Sequence, residues 1–167
     1  HVETGEPIPD ELLDAITAAS EFGQGFATAE YLGASIIDLA WHSLSSAEAA
    51  ELEATPEAVA EFETAALRAA GLDNPYIAPR YRSTYFNHIF AGGYSAGYYS
   101  YLWAEALDAD GFEWFKDQPD LRAAGQKFRE VILSQGASRD FAEAYREFRG
   151  RDKDITPLLK RRGLAGA

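Results

Sequence analysis

The sequence holds 167 residues, 47% of them hydrophobic, with a formal net charge of −12 at pH 7, no cysteine and no methionine. Such a length and apolar content suit a folded domain with its own core and exclude intrinsic disorder. The acidic balance argues against nucleic acid, which needs concentrated Lys and Arg, and no apolar run reaches the roughly 20 residues that span a bilayer. Without cysteine there are no disulfides or thiolate metal sites, which is compatible with a cytoplasmic location. A chain that opens on His1 and contains no methionine is expected to be a piece of a longer protein, and its polar, acidic start, HVETGEPIPDE, does not read as a signal peptide.

In chain order the pattern predicts helices almost throughout. Pro9, Asp10 and Glu11 open the first, with Leu12, Leu13, Ile16 and Ala19 as its apolar stripe and an interruption at Gly23 and Gly25. The second runs from about Gln24 to Ser43, with Phe26, Ala29, Leu32, Gly33, Ile36, Ile37 and Ala40 at helical spacing. It is apolar around much of its circumference and is expected to be buried deeply. Thr55-Pro56-Glu57 combines a capping hydroxyl, a first-turn proline and an acid, and starts a helix that reaches about Ala70 and stops at Gly71. DNPYIAPR, Asp73 to Arg80, is a loop with two prolines, and a short helical or extended piece carries Tyr81 to Phe90. A long helix is predicted from near Tyr94 to about Phe115. After the break at Gln118-Pro119-Asp120 another runs to about Gln135, Ser138 caps one that ends at Phe148, and Thr156-Pro157 starts a last short one. The prediction is a single all-α segment over residues 1–167 with six to seven helices. Its basic tail, with Arg149, Arg151, Lys153, Lys160, Arg161 and Arg162, reads either as exposed charge complementing helix ends or as a docking surface for an acidic partner.

The chemistry-bearing residues are few. The histidines are His1, His42 and His88, and no two stand three or four apart on a helix, so the sequence offers no metal site. His42 follows Asp38 by four residues and is expected to bond to that carboxylate or to backbone. Gly-Gly-Tyr-Ser-Ala-Gly lacks the strand and the Lys-Ser or Lys-Thr of a phosphate loop. The densest stretch is HIFAGGYSAGYYSYLW, His88 to Trp103. On a helix Tyr94, Tyr98 and Tyr101 would share one face, with Tyr94 and Tyr101 about 10 Å apart along the axis and Glu105 a turn further on. Gly92 and Gly93 permit a hinge and a ligand's close approach. Phenols and an imidazole can donate hydrogen bonds to a developing oxyanion. Aromatics at this spacing also suit a packed core, and the residues alone leave both readings open.

The letters carry more than the spacing. ETGEPIPDELLDAI, FGQGFATAEYLGASIIDLAWH, FNHIFAGGYSAGYYSYLWAEALDADGFEWF, SQGASRDFAEAYREFRGRD and LLKRRGL, in that order, resemble the C-terminal region of peptidase family M3, in its peptidyl-dipeptidase (dipeptidyl carboxypeptidase) branch. The likeness covers essentially the whole chain. It implies the helical catalytic domain of a zinc metallopeptidase whose HEXXH helix and downstream glutamate lie upstream, since no HEXXH occurs here. The full-length enzyme would then bind zinc and use a zinc-activated water, while this segment alone is expected to hold no metal and to be inactive. The family motif H-I-F-x-G-G-Y-x-A-G-Y-Y-x-Y carries its substrate contacts onto His88, Tyr94 and Tyr101. The resemblance implies that Tyr101 donates to the oxyanion, that His88 and Tyr94 hold the peptide, and that Gly92 and Gly93 belong to a mobile loop. Arg80 and Arg82 are candidates for the substrate's C-terminal carboxylate, the other reading being ordinary salt bridges. The expected partners are an oligopeptide and the missing N-terminal part, with homo-oligomers forming over exposed apolar faces. The alternative function is a non-catalytic helical module that acts through contacts alone.

Overall fold

The computed structural model describes residues 1–164. Among them every regular element is helical: α1 (Asp10–Ala19), α2 (Gln24–His42), α3 (Ser46–Glu51), α4 (Pro56–Ala69), α5 (Asn87–Phe90), α6 (Ser100–Lys116), α7 (Leu121–Phe128), α8 (Phe141–Arg149) and α9 (Thr156–Arg161), with a 3-10 turn at Ser83–Tyr85 and a π-helical turn at Arg129–Leu133. The all-α class stands. The count rises from the expected six to seven to nine among the described residues because two short helices escape a periodicity search. In α3, Ser45 and Glu48 form a reciprocal capping box, which holds a six-residue helix that has no buried face. α5 spans a single turn. None of these helices is long and apolar enough to cross a membrane.

The chain divides into two compact units, Phe22–Tyr101 and a second made of residues 1–21 and 102–164, with the division falling inside α6. In the Phe22–Tyr101 unit, α2 packs on α4. Trp41 lies over Phe62 with ring centroids 4.0 Å apart and donates its indole N–H to Ser83 Oγ. Gly33 lets Pro79 approach: a Cβ there would stand 3.1 Å from the proline's Cβ. α2 is the deepest element, with Tyr31, Ala34, Ser35, Ile37 and Asp38 buried. α4 starts as its sequence dictates, Thr55 Oγ1 accepting the Ala58 amide ahead of Pro56.

In the other unit, Ala106 and Ala109 of α6 pack with Leu158 of α9, and Phe148 of α8 is enclosed by Trp114, Phe115, Phe128 and Tyr145. Asp140, not the expected Ser138, caps α8 by accepting the Glu143 amide at 2.9 Å. The carboxylate is the stronger acceptor for an N-terminal amide. The basic tail is largely neutralised inside this unit. Arg149 and Arg151 pair with buried Asp110, Arg161 with Asp108 and Arg162 with Glu105, while Lys153 sits over the Trp103 ring. Glu105 thus serves an ion pair instead of extending a row of tyrosines.

Candidate functional site

The candidate site residues Arg80, Arg82, His88, Gly92, Gly93, Tyr94, Tyr98 and Tyr101 all lie in the Phe22–Tyr101 unit. They are not arranged as the helical reading expects. α6 starts at Ser100, and residues 95–99 form successive turns. The cause is a carboxylate from α2. Asp38, fully buried, accepts the Ala96 amide on Oδ1 at 2.9 Å and the Tyr98 amide on Oδ2 at 2.8 Å. His42 Nδ1 lies 2.8 Å from the same Oδ1 and 2.9 Å from the Asp38 carbonyl, so this nitrogen faces two acceptors and carries the hydrogen. The bond from His42 to Asp38 expected from their spacing is present. Ser95 Oγ adds a further tether by donating to the Ile89 carbonyl at 2.6 Å.

Bending the backbone here changes how the tyrosines meet. Tyr94 and Tyr101 are stacked, ring centroids 5.3 Å apart and planes 19° from parallel, in place of the 10 Å axial separation of two helical turns. Tyr98 packs edge-on against Tyr101 at 5.2 Å. Exposure separates their roles: Tyr94 and Tyr101 are 38% and 43% exposed, whereas Tyr98 is buried and forms the floor under them. Tyr31 braces that floor by stacking on Tyr98 at 5.3 Å and donating its hydroxyl to the Tyr98 carbonyl.

His88 stands among rings. Tyr81 is 4.8 Å away, Tyr98 5.8 Å, Phe86 5.9 Å and Tyr94 6.3 Å between centroids. Its Nδ1 is buried with no hydrogen-bond partner. Gly92 and Gly93 are glycine for different reasons. At Gly92 a Cβ would come within 2.9 Å of the His88 Cα and carbonyl oxygen, and Gly93 adopts φ +82°. The two arginines part company. Arg80 reaches the tyrosine cluster, its guanidinium 5.9 Å from the centre of the Tyr31 ring and near the Tyr98 hydroxyl, while pairing with Glu30 at 3.3 Å. Arg82 instead donates to buried Glu63 at 3.0 Å, and the Ser83 amide bonds the other oxygen of that carboxylate.

The electrostatics favour neutral phenols. Hydrogen bonding with the Tyr94 hydroxyl, with some burial, pushes Tyr101 up to about 12 from its ordinary value near 10. Burial likewise raises Tyr98, against the lowering effect of Arg80. Tyr101 is therefore a hydrogen-bond donor across the whole physiological range. No group of three or more His, Cys, Asp or Glu among the described residues could hold a metal ion. The zinc that the resemblance implies does not fit a site built from these residues alone.

Three contributors to this geometry are not evident from the sequence motif: Asp38, Tyr31 and Tyr81. The available signal was Asp38 itself, a carboxylate in the middle of the most apolar helix, which must find donors to be buried.

The family model for peptidase family M3 matches residues 1–164. The chain belongs to peptidase family M3. It is 46% identical over 165 residues to the dipeptidyl carboxypeptidase of Salmonella typhimurium, covering 98% of this chain and 23% of that protein. Against the dipeptidyl carboxypeptidase of Escherichia coli the identity and the two shares are the same. Oligopeptidase A of Escherichia coli is 36% identical over 169 residues, 99% of this chain and 24% of that protein. This M3 chain thus spans less than a quarter of the length of the curated relatives it matches.

Proposed function

We propose that the protein carrying this M3 chain hydrolyses short peptides, releasing dipeptides from their C-termini, and that Tyr94 and Tyr101 are its hydrogen-bond donors to substrate. The observation that carries this reading is the stacked, half-exposed Tyr94–Tyr101 pair, in which hydrogen bonding with Tyr94 pushes the Tyr101 phenol up to about 12. When a peptide carbonyl is attacked, its oxygen gains negative charge. A fixed O–H aimed at that oxygen stabilises the transition state more than the ground state. A phenol that remains protonated serves this purpose without being ionised by the medium.

His88, packed in its cage of rings, orients Tyr94 and meets the peptide next to it. Gly92 and Gly93 shape the adjoining turn. Arg80 is the better of the two arginines for a substrate carboxylate, because it is exposed and its partner Glu30 is only part-buried, whereas Arg82 answers a buried charge. Zinc, on residues outside this chain, would supply a metal-activated water when bound. By itself this segment is inactive. Its other partner is the rest of the protein, which would cover apolar side chains such as Leu12, Leu13 and Ile16 of α1, each about half exposed. Isolated copies would cover them by self-association, and a monomer by light scattering would contradict that.

The test of the activity is product analysis. The full-length protein, given an N-acetylated hexapeptide, is expected to release successive dipeptides from the C-terminus, and C-terminal amidation is expected to slow release at least tenfold, the scale of one lost charged hydrogen bond. No cleavage, or cleavage indifferent to amidation with no dipeptide product, would contradict it.

A further inference from the structure

We infer that Asp38 is a positioning residue for the Tyr94–Tyr101 pair, its buried carboxylate holding residues 95–99 in the turns that bring the two phenols into a stack. The activity arm of this inference rests on the reading given under Proposed function; its structural arm does not.

Three observations converge on Asp38. Its two oxygens accept amides that are two residues apart, Ala96 and Tyr98, a pattern that fits a turn and would be absent from a continuing helix, where those amides bond to carbonyls four residues back. Ala96, the first of these donors, takes φ +54°, the one non-glycine residue with positive φ in the described chain. That conformation costs roughly 1–2 kcal/mol and persists only where the surroundings impose it. The two charge-assisted bonds to a carboxylate out of contact with water are the strongest contacts available to impose it. The consequence falls on the rings: the turn shortens the path from Tyr94 to Tyr101, and the centroids close to 5.3 Å. Asp38 itself touches neither phenol's hydroxyl, so it acts through the backbone.

The isosteric change Asp38→Asn separates this role from simple packing. A carboxamide has one accepting oxygen, so one of the two amides loses its partner while volume is kept. In the full-length protein, with 13C-labelled tyrosine assigned to Tyr101, Asp38→Asn is expected to lower the midpoint of the Tyr101 phenol titration and to reduce kcat about 10- to 100-fold, the scale of an ångström-size misplacement. KM should change little. Asp110→Asn, a buried carboxylate in the other unit, is the control and should move neither reading while the protein remains folded. An unmoved Tyr101 midpoint in folded Asp38→Asn overturns the inference, whatever happens to kcat. A lowered midpoint with unchanged kcat upholds the positioning and contradicts the donor role proposed for Tyr101, as would full turnover in Tyr101→Phe. Should Asp38→Asn fail to fold, hydrogen exchange on the unsubstituted protein decides. The Ala96 and Tyr98 amides are expected to be protected, and exchange as fast as in an open turn overturns the inference.

Discussion

At the scale of single residues, the role proposed for Tyr101 turns on what holds the proton of its phenol. Tyr101 is 43% exposed, yet its proton is held because the Tyr94 hydroxyl hydrogen-bonds the neutral form. The sign is definite: a partner that favours the neutral acid raises the pKa, and its loss lowers it. Tyr94→Phe is therefore expected to bring Tyr101 down from about 12 towards the ordinary value near 10, read by the Tyr101 13Cζ shift across pH 9–13. An unchanged midpoint would mean that burial, not Tyr94, holds the proton. That Tyr94 and Tyr101 lie near one another was legible in their spacing, but their geometry was not. Helical spacing put them on one face about 10 Å apart, and the real contact is a stack at 5.3 Å. What defeated the spacing argument was Asp38, a residue nearly sixty positions earlier in the chain. No local pattern carries a constraint of that range.

At the scale of elements, the helix starts marked by a first-turn proline agree with the structure: α4 begins at Pro56 behind the Thr55 cap, and α9 begins at Thr156 with Pro157 in its first turn and no side-chain cap. The errors fell where another acceptor competed with the helix. α6 begins at Ser100 because the amides of Ala96 and Tyr98 go to Asp38, and α8 begins after Asp140 because its carboxylate outbids a serine two residues earlier. Asp110 shows the same principle inside a helix. Burial disfavours its charge, but bonds from Tyr145, Arg151 and the Asp154 amide, with Arg149 nearby, more than offset this, and its carboxyl stays below the usual carboxylate range. A depressed carboxyl contributes stability that is full above the unfolded-state pKa, near 4, and is lost as pH falls through the lower native value. Asp110→Asn is expected to cost on the order of 3 kcal/mol at pH 7, with the difference shrinking below pH 4, as measured by urea unfolding at several pH values. A deficit that is independent of pH would mean that Asp110 contributes by packing alone.

At the scale of the whole molecule, charge and family read differently. The net charge of −12 conceals a basic tail that is already spoken for: Asp110, Asp108 and Glu105 take up four of its arginines within one unit. A count along the sequence cannot show that pairing, because the acids sit on α6, some forty to sixty residues earlier. Family membership, by contrast, was legible from five stretches in order, and the family match over residues 1–164 agrees with it. The division of the chain into two units left no mark in composition, since it falls within a single continuous helix. Because the chain spans less than a quarter of its relatives' length, its share of the chemistry is best tested in the full-length protein by the interaction that belongs to the transition state alone. The direct measurement pairs the inhibition constant of a tetrahedral phosphinic peptide with kcat and KM, for the unsubstituted protein and for Tyr101→Phe. A donor to the oxyanion requires the analogue to weaken and kcat to fall by the same factor, about 10²-fold, with KM nearly unchanged. Analogue affinity and kcat that both survive the substitution would remove Tyr101 from the transition state.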